Sequence, residues 1–240
     1  MTTKSAIQST PGGQRPRLTP LPGVSHIFDM LEQGPHVSRA YLILEDHFLS
    51  RPDAFVGMEG WLCEDAGEAP RAPRPDCLVS FGVDFTSEEL ASVNGYVINE
   101  IGKPPDFVLE VASQTTGRRD YVEKRQIYAG YRVAEYWRFD HTGGQYHDVA
   151  LAGDRLVDDR YEPIPVETGS DGIIRGYSEA LQLELHWYHG LLRFWDPATG
   201  EYLPNLTETK ARLHLAERRA ANAEARVREL EAELNRRQPE

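Results

Sequence analysis

The sequence has few cysteines and lacks any long apolar run. Its two cysteines, Cys63 and Cys77, have neither CxxC nor metal-ligand spacing, so neither a disulfide framework nor a zinc site is expected. No apolar stretch approaches the roughly 18 to 20 residues of a membrane span. The N-terminus also lacks the short apolar core of a signal peptide. We therefore expect a cytoplasmic protein with no membrane partner.

Positive charge is also scarce. The chain has 26 Lys and Arg against 38 Asp and Glu, which gives a formal net charge of -12. Broad binding to nucleic acid depends on many Lys and Arg contacts to phosphate, and this acidic balance disfavours it. A nuclease is not excluded, because enzymes that use divalent metals concentrate carboxylates at the active site, where the metal's own charge changes the local balance.

The composition divides the 240-residue chain into three parts. Residues 1–22 are rich in Thr, Ser, Pro and Gly without periodicity, which predicts a disordered lead. Residues 23–205 have the mixed composition of one globular domain. Residues 206–240 turn to Ala, Glu, Arg and Leu with heptad spacing, which predicts a coiled coil in a homo-oligomer, most simply a dimer. A single solvated helix fits the same pattern. The heptad residues are Leu213, Ala220, Val227 and Leu234 at one position and Ala216, Ala223 and Leu230 at the other.

Local patterns in the middle part predict an α/β (α+β) domain. A helix is predicted over His36–Leu49, where apolar residues recur at helical spacing. Strands are predicted in "AFVGMEGWLCE", "PDCLVSFG" and "FVLEV", and residues 86–104 are expected to form an inserted loop with at most one helical turn. After Trp137, short strands between turn signals predict an antiparallel meander that extends the same sheet, with a hairpin turn at His189 and Gly190.

The stretch "PDFVLEVASQTTGRRDYVEKRQIYAGYRVAEYW", residues 105–137, contains two charges where apolar side chains are expected. Its first part is typical of a buried strand, yet Glu110 interrupts it, although burying a charge is costly. A helix is predicted from Asp120, which we assign to capping, and Lys124 shares its apolar face with Tyr128. Lys124 could extend to solvent or form a purely structural ion pair. A strand-turn-helix unit also lets it meet Glu110 in a functional site.

Asp76 is the third candidate. It lies just before the strand "CLVSFG" and, taken alone, fits ordinary turn chemistry. Together with Glu110 and Lys124 it supplies two oxygen ligands and one cation, the groups needed for metal-assisted hydrolysis of a phosphodiester. Magnesium or manganese takes carboxylate oxygens and water, while a lysine stabilises developing charge. We therefore predict Asp76, Glu110 and Lys124 as catalytic residues, with Asp76 and Glu110 as metal ligands.

This trio resembles the PD-(D/E)XK nuclease superfamily, and residues 105–137 with the following "RFD" are similar to the signature of its Uma-type family. Supporting similarity covers most of residues 30–200, including "PHVSRAYLILEDHFLSRPD", "PDCLVSFGV", "RYEPIPV" and "LRFWDPATGEYL". The resemblance implies a restriction-endonuclease-like mixed sheet flanked by helices, with the metal at Asp76 and Glu110. It also implies a metal-dependent endonuclease, with DNA as the expected nucleic acid substrate.

The sequence departs from the superfamily pattern at one important position. The superfamily lysine normally stands two residues after the glutamate, where this chain has Ala112. In the Uma-type pattern the amine comes from the next helix, which implies that Lys124 takes this role. Two milder departures are from the Uma-type string: "ASQTT" replaces a Ser-Pro or Ser-Lys turn, and Tyr131-Arg132 replaces a Leu-Gly or Ala-Gly pair before Val133.

Three further residues are weaker candidates. Glu45 could contribute a carboxylate from the first helix, although its position at the edge of the apolar stripe favours a solvated surface residue. His36 could act as a general base, or could be exposed or capping. Asp106 shares the face of Glu110 and could support it or serve the entry to the strand.

Two other functions fit the same sequence. A catalytically silent member of the fold could serve as a binding or assembly module, a possibility favoured by the acidic balance. A hydrolase acting on something other than DNA is the third possibility, because a fold does not fix a substrate.

Overall fold

The computed structural model of the protein describes residues 17–23, 32–114 and 120–237. The strands are β1 Ala54–Gly57, β2 Trp61–Cys63, β3 Cys77–Phe81, β4 Gly95–Val97, β5 Phe107–Val111, β6 Glu135–Phe139, β7 Leu151–Val157, β8 Arg160–Pro163, β9 Val166–Thr168, β10 Ile174–Ser178, β11 Leu183–Tyr188, β12 Leu191–Asp196 and β13 Glu201–Tyr202. The α-helices are α1 Gly34–Phe48, α2 Ser87–Ser92, α3 Ile98–Ile101, α4 Arg125–Gly130 and α5 Leu206–Arg237. A 3-10 helix covers Ala66–Arg71, and a π-helical turn, Asp120–Lys124, leads into α4.

A mixed sheet lies at the centre of the domain, in the strand order β1-β3-β5-β6-β7-β8. Its middle strands β5 and β6 are parallel, whereas their neighbours pair antiparallel. A parallel pair needs a crossover connection, and the π-helical turn with α4 lies in this connection. The predicted α/β (α+β) class, a mixed sheet flanked by helices, is confirmed, and so is the strand at the start of residues 105–137.

Side-chain alternation along β5 divides the core into two parts. Phe107, Leu109 and Val111 pack on one side of the sheet with the apolar residues of α1. Val108 packs on the other side with Tyr128 of α4. Glu110 has the same parity as Val108, so it faces α4.

The second half of the meander forms a separate sheet, in the order β13-β12-β11-β10-β9. Strands β7 and β8 extend the central sheet as expected, but the expectation that the later strands continue it is wrong. Leu183, Leu185 and Phe194 are buried in the same core as Trp137 of β6. The second sheet packs against the central sheet, and this packing buries the apolar face of the second sheet. If the later strands had extended the central sheet, another element would have been needed to cover that face.

The predicted hairpin turn between β11 and β12 is confirmed. Tyr188 pairs with Leu191 across the turn, and His189 and Gly190 have φ angles of 49° and 83°. Positive φ at both central residues is the type I′ geometry that matches the twist of paired strands.

Residues 86–104 are more ordered than the expected loop, because they contain α2, β4 and α3. Thr86 begins α2 with a capping box: its side chain accepts from Glu89 N at 3.2 Å, and the Glu89 carboxylate accepts from Thr86 N at 2.8 Å. The T-x-x-E spacing was the local signal for this helix. Strand β4 pairs in parallel with β2, a long-range contact that local patterning does not reveal.

The two ends of the chain contact the domain differently. Within the predicted lead, Leu21 N donates to Val93 O at 2.9 Å, while residues 1–16 lie outside the described part. The long helix α5 begins after Asn205, whose side chain accepts from Glu208 N at 3.1 Å. Its heptad residues Leu213 and Leu234 are 57% and 62% exposed. None of the helices in the described ranges has the length and apolar character to span a membrane.

Candidate active site

Glu110 and Lys124 form an ion pair at the end of β5. Glu110 is 1% exposed, and Lys124 Nζ lies 2.8 Å from its Oε2 atom. Tyr128, one turn further along, donates its hydroxyl to Glu110 Oε1 at 2.5 Å. The Lys124 side chain is only 13% exposed, so it does not extend into bulk solvent. The predicted contact between strand and helix is therefore confirmed, and the cost of burying the carboxylate is offset by a charge and a hydroxyl.

Asp76 lies on the neighbouring strand end. The antiparallel pairing of β3 and β5 sets Cys77 opposite Leu109, and one further step in the same register sets Asp76 opposite Glu110. Residues opposite each other share a face, with Cβ atoms about 5 Å apart. Asp76 is 8% exposed and its Oδ2 accepts from Val111 N at 2.7 Å. The two predicted carboxylates thus occupy adjacent strand ends.

Gln33 is a site residue that the sequence interpretation missed. Its Nε2 atom donates to Asp76 Oδ2 at 2.8 Å and to Val111 O at 2.7 Å. One side-chain amide therefore joins the start of α1 to both strand ends. The contacts span 43 and 78 residues, and a lone glutamine before Gly34 carries no local pattern that could have predicted them.

Arg138 was also missed. It lies beside Glu110 in the parallel register of β5 and β6, and its Nη2 atom donates to Asp154 Oδ2 at 2.8 Å. Arg125 binds the other oxygen, Asp154 Oδ1, at 2.9 Å. Strand alternation alone could have placed Arg138 on the face of Tyr136, because both have the same parity in β6.

The weaker candidates lie elsewhere. Asp106 serves the entry to β5, since it accepts from Phe81 N at 2.7 Å and contacts Lys103 Nζ at 2.5 Å. Glu45 accepts a hydrogen bond from the hydroxyl of Tyr41. It is twelve residues along α1 from Gln33, about 18 Å at the helical rise. The side chain of Asp120, assigned to capping, lies outside the described residues.

His36 is close to Gln33 but faces the other side of the sheet. Its ring stacks on His141 with centroids 4.6 Å apart and also contacts Phe139, which belongs to the core of α1. Burial, then the neighbouring charges of His141 and Arg39, lower the pKa of His36 to about 4. These contacts therefore favour a packing role for His36 over a general-base role beside Glu110.

The donor set suits a hard divalent cation. Within the described ranges, no group of three or more His, Cys, Asp and Glu residues could hold a metal ion. Magnesium does not need such a cage, because it retains several waters and is bound by one or two carboxylates with substrate phosphate. Asp76 and Glu110 fit that requirement, whereas zinc would call for four protein ligands, or three with water.

A mixed sheet with two acidic residues at adjacent strand ends, and a lysine from the following helix, is the arrangement expected of a nuclease-like fold. The chain belongs to the Uma2 family, which is described as "Putative restriction endonuclease" and whose model matches residues 37–186.

One similar solved structure is described as that of "a putative nuclease belonging to DUF820" from Anabaena variabilis. It is 13% identical, with a TM-score of 0.38, and the match covers 55% of this chain and 66% of that chain. This chain therefore spans just under two thirds of the length of that structure. No curated protein matches the chain.

Proposed function

We propose that the protein is a metal-dependent endonuclease that hydrolyses phosphodiester bonds of DNA, with Asp76, Glu110 and Lys124 as its catalytic residues. The observation that carries this proposal is the ion pair of Lys124 with Glu110, 2.8 Å long, at a strand end next to Asp76. The family membership supports nucleic acid as the class of substrate. Because the net charge is -12, we expect the protein to contact DNA over a small area near the site and not through a broad cationic surface.

The residues have separate tasks in this proposal. Asp76 and Glu110 would hold magnesium or manganese, and a bound ion would supply Lewis-acid polarisation of the phosphate. Lys124 adds a positive charge that stabilises the charge developing on the phosphate oxygens or orients the attacking water. Gln33 and Tyr128 fix the two carboxylates, which keeps their oxygens in place before substrate arrives.

A catalytically silent binding or assembly module is the second candidate. It is favoured by Ala112, which stands where the superfamily lysine is expected. In that case the pair of Lys124 with Glu110 would be structural only, as buried ion pairs often are. Cleavage assays separate the two functions.

The test is cleavage of plasmid, single-stranded DNA and RNA with magnesium or manganese. We expect cleavage of DNA by the wild type, and loss of cleavage in Asp76→Asn, Glu110→Gln and Lys124→Met. The matched control is Lys103→Met, because Lys103 also pairs with a carboxylate of the same strand segment, Asp106 at 2.5 Å, but at its opposite end. Equal activity in Lys124→Met and wild type would reject the catalytic role of Lys124. If the wild type cuts no nucleic acid, the endonuclease proposal is rejected and the binding or assembly module remains.

We also propose that α5 joins two copies of the chain in a dimer. Val227, Leu230 and Leu234 are heptad residues and are 53%, 47% and 62% exposed, as expected of a seam that a second copy covers. Light scattering should give a dimer for the full chain and a monomer for Leu230→Glu. The control is Leu215→Glu, since Leu215 is 48% exposed but lies outside the heptad positions. An unchanged mass in Leu230→Glu would favour the solvated single helix.

A cytoplasmic location accompanies this proposal, because intracellular nucleic acid would be the substrate. Cell fractionation tests it, and recovery of the protein outside the cytoplasm would contradict it.

A further inference from the structure

A cavity of about 490 Å³ lies beside the candidate active site. Its walls come from α4 and the turn before it, from β6 and β7, and from the segment that joins β8 to β9. Five of its lining residues bear on what it could bind: Val122, Arg125, Gln126, Arg138 and Val149. The volume is within the range of sites that hold small organic molecules, about 300 to 1,000 Å³.

Two residues in the cavity wall are neighbours of proposed catalytic residues. Arg138, in its wall, pairs with Glu110 in the parallel register of β5 and β6. Arg125, also in its wall, immediately follows Lys124 in the chain. The wall of the cavity is therefore one strand away from Glu110 and one residue away from Lys124.

The lining of the cavity includes a group with net positive charge. Asp154 lies between Arg138 and Arg125, at 2.8 Å and 2.9 Å, so two guanidinium groups share one carboxylate and the trio keeps a charge of +1. The side chains of Arg138 and Asp154 are 7% and 3% exposed and that of Arg125 is 36% exposed, so water screens the charge of this trio only in part. Asp148 also lines the cavity, but it is exposed, where water and salt screen its charge.

The remaining lining is largely apolar, with one amide. Val122 and Val149 are 51% and 46% exposed, which is high for two valines that face a common space. Gln126 adds an exposed amide that can both donate and accept. The guanidinium groups suit a phosphate, because their planar fork matches phosphate oxygens, and the apolar side chains with the amide suit a nucleobase.

We infer that this cavity binds one nucleotide of the substrate strand next to the bond that is cut, with its phosphate at Arg125 and Arg138 and its base against Val122 and Val149. This inference rests on the proposed function. The inference adds to the proposed function a contact with the substrate strand, in a cavity whose lining includes neither proposed metal ligand. Arg125 and Arg138 are positioning residues in this account, since they hold the strand and do not take part in the chemistry.

The first test measures binding without catalysis. A fluorescein-labelled single-stranded DNA oligonucleotide is titrated in EDTA against wild type, Arg138→Met and the control Arg132→Met. Arg132 lies just beyond the end of α4, and its side chain is 61% exposed and pairs with Asp159. We expect Arg138→Met to weaken binding about tenfold, because one charge-assisted contact to phosphate is lost. The slope of log K against log salt should fall by about 0.7, the value for one phosphate contact on a single strand. The control should bind like wild type.

A second variant covers the case in which Arg138→Met does not fold. Val149→Glu puts a negative charge at the exposed mouth of the cavity and should weaken oligonucleotide binding by a similar factor. Its matched control is Val157→Glu, because Val157 is 41% exposed and does not line the cavity. Equal weakening in both variants would overturn the inference, since a general charge effect would then explain it.

Kinetics with manganese separate this inference from the proposed function. We expect Arg138→Met and Val149→Glu to raise KM for an oligonucleotide substrate with little change in kcat. Cleavage by wild type with unchanged binding and KM in both variants would overturn the inference and leave the endonuclease intact. Binding that depends on Arg138, without cleavage by wild type, would support the cavity and overturn the proposed function.

Discussion

Two glutamates on adjacent central strands are equally buried but have different surroundings. Glu110 on β5 and Glu135 on β6 are each 1% exposed. The Glu135 carboxylate contacts Arg155 and accepts from Trp137 Nε1, Ser178 Oγ and Glu179 N at 2.5 to 3.0 Å. These partners come from both sheets and from the turn after β10. The Glu110 contacts described above come from the helical segment over one end of β5.

Burial of a charge therefore does not by itself mark a functional site. Glu135 faces the core shared with the second sheet, and its hydrogen bonds fasten β10 to β6. Glu110 faces α4, and Arg138, its partner in the register of β5 and β6, lines the cavity described above. The surroundings of each carboxylate, more than its exposure, distinguish a structural role from the proposed catalytic one.

The largest difference between the two glutamates should appear when the Glu110 pair is neutralised. Glu110→Gln combined with Lys124→Met should reduce the cleavage rate at least about 1,000-fold, or about 4 kcal/mol. The free energy of unfolding should change by less than about 1 kcal/mol, because replacing both partners of a buried ion pair is often neutral. Plasmid cleavage and urea unfolding measure these effects. A large loss of stability would make the pair structural.

The same substitution at the other glutamate should act on stability. Glu135→Gln should lower the free energy of unfolding by about 3 kcal/mol, because an amide nitrogen would replace one oxygen that accepts from several buried donors. Arg155 would also keep only its exposed acidic partner Glu179. Urea unfolding gives the value, and the residual folded enzyme should keep its kcat. A stability equal to wild type would remove the contrast with Glu110.

The α1 side of the sheet should also show a pH dependence of smaller size. The folded pKa of His36, about 4, is below its ordinary value of 6.5, so protonation favours the unfolded chain. The stability that neutral His36 contributes is fully present above about pH 6.5 and is lost as the pH falls toward 4. Between about pH 6.5 and 4, His36→Asn should reduce the fall in the free energy of unfolding by about 1 to 2 kcal/mol. An identical pH profile in wild type and variant would contradict it.

The smallest effect is expected at the end of α4. Arg132 has a φ of 62°, a left-handed conformation that costs a residue with a side chain about 1 kcal/mol and that glycine adopts freely. Arg132→Gly should therefore raise the free energy of unfolding by up to about 1 kcal/mol, since its exposed ion pair with Asp159 contributes little. Thermal unfolding measures the change, and a lower melting temperature would show that the ion pair matters more.

The local parts of this fold were predictable from the sequence because their patterns are strong. Helix α1 was predicted over His36–Leu49 and is observed over Gly34–Phe48. The charges at Glu110 and Lys124 were found because each interrupts an apolar pattern, and the spacing of strand and helix brought them together. Whether they act as catalytic residues stays a prediction.

The parts that were missed depend on contacts between distant segments. Alternation in β11 indicates a buried face but not which surface covers it, so the separate second sheet was not foreseen. Gln33 reaches Asp76 across 43 residues without any periodic signal. Arg138 was visible as a charge in an apolar strand, but its importance comes from its register with Glu110 and from Asp154, which only the tertiary structure supplies.

Strand β5 is hydrogen-bonded along both edges, to β3 and to β6. Its amide protons should exchange with deuterium only when the whole sheet opens, so Glu110 belongs to the slowest-exchanging unit of the domain. A cation bound to that carboxylate would then raise the melting temperature of the entire domain by mass action. Thermal denaturation with added magnesium could therefore report on ligand binding long before a substrate sequence is known.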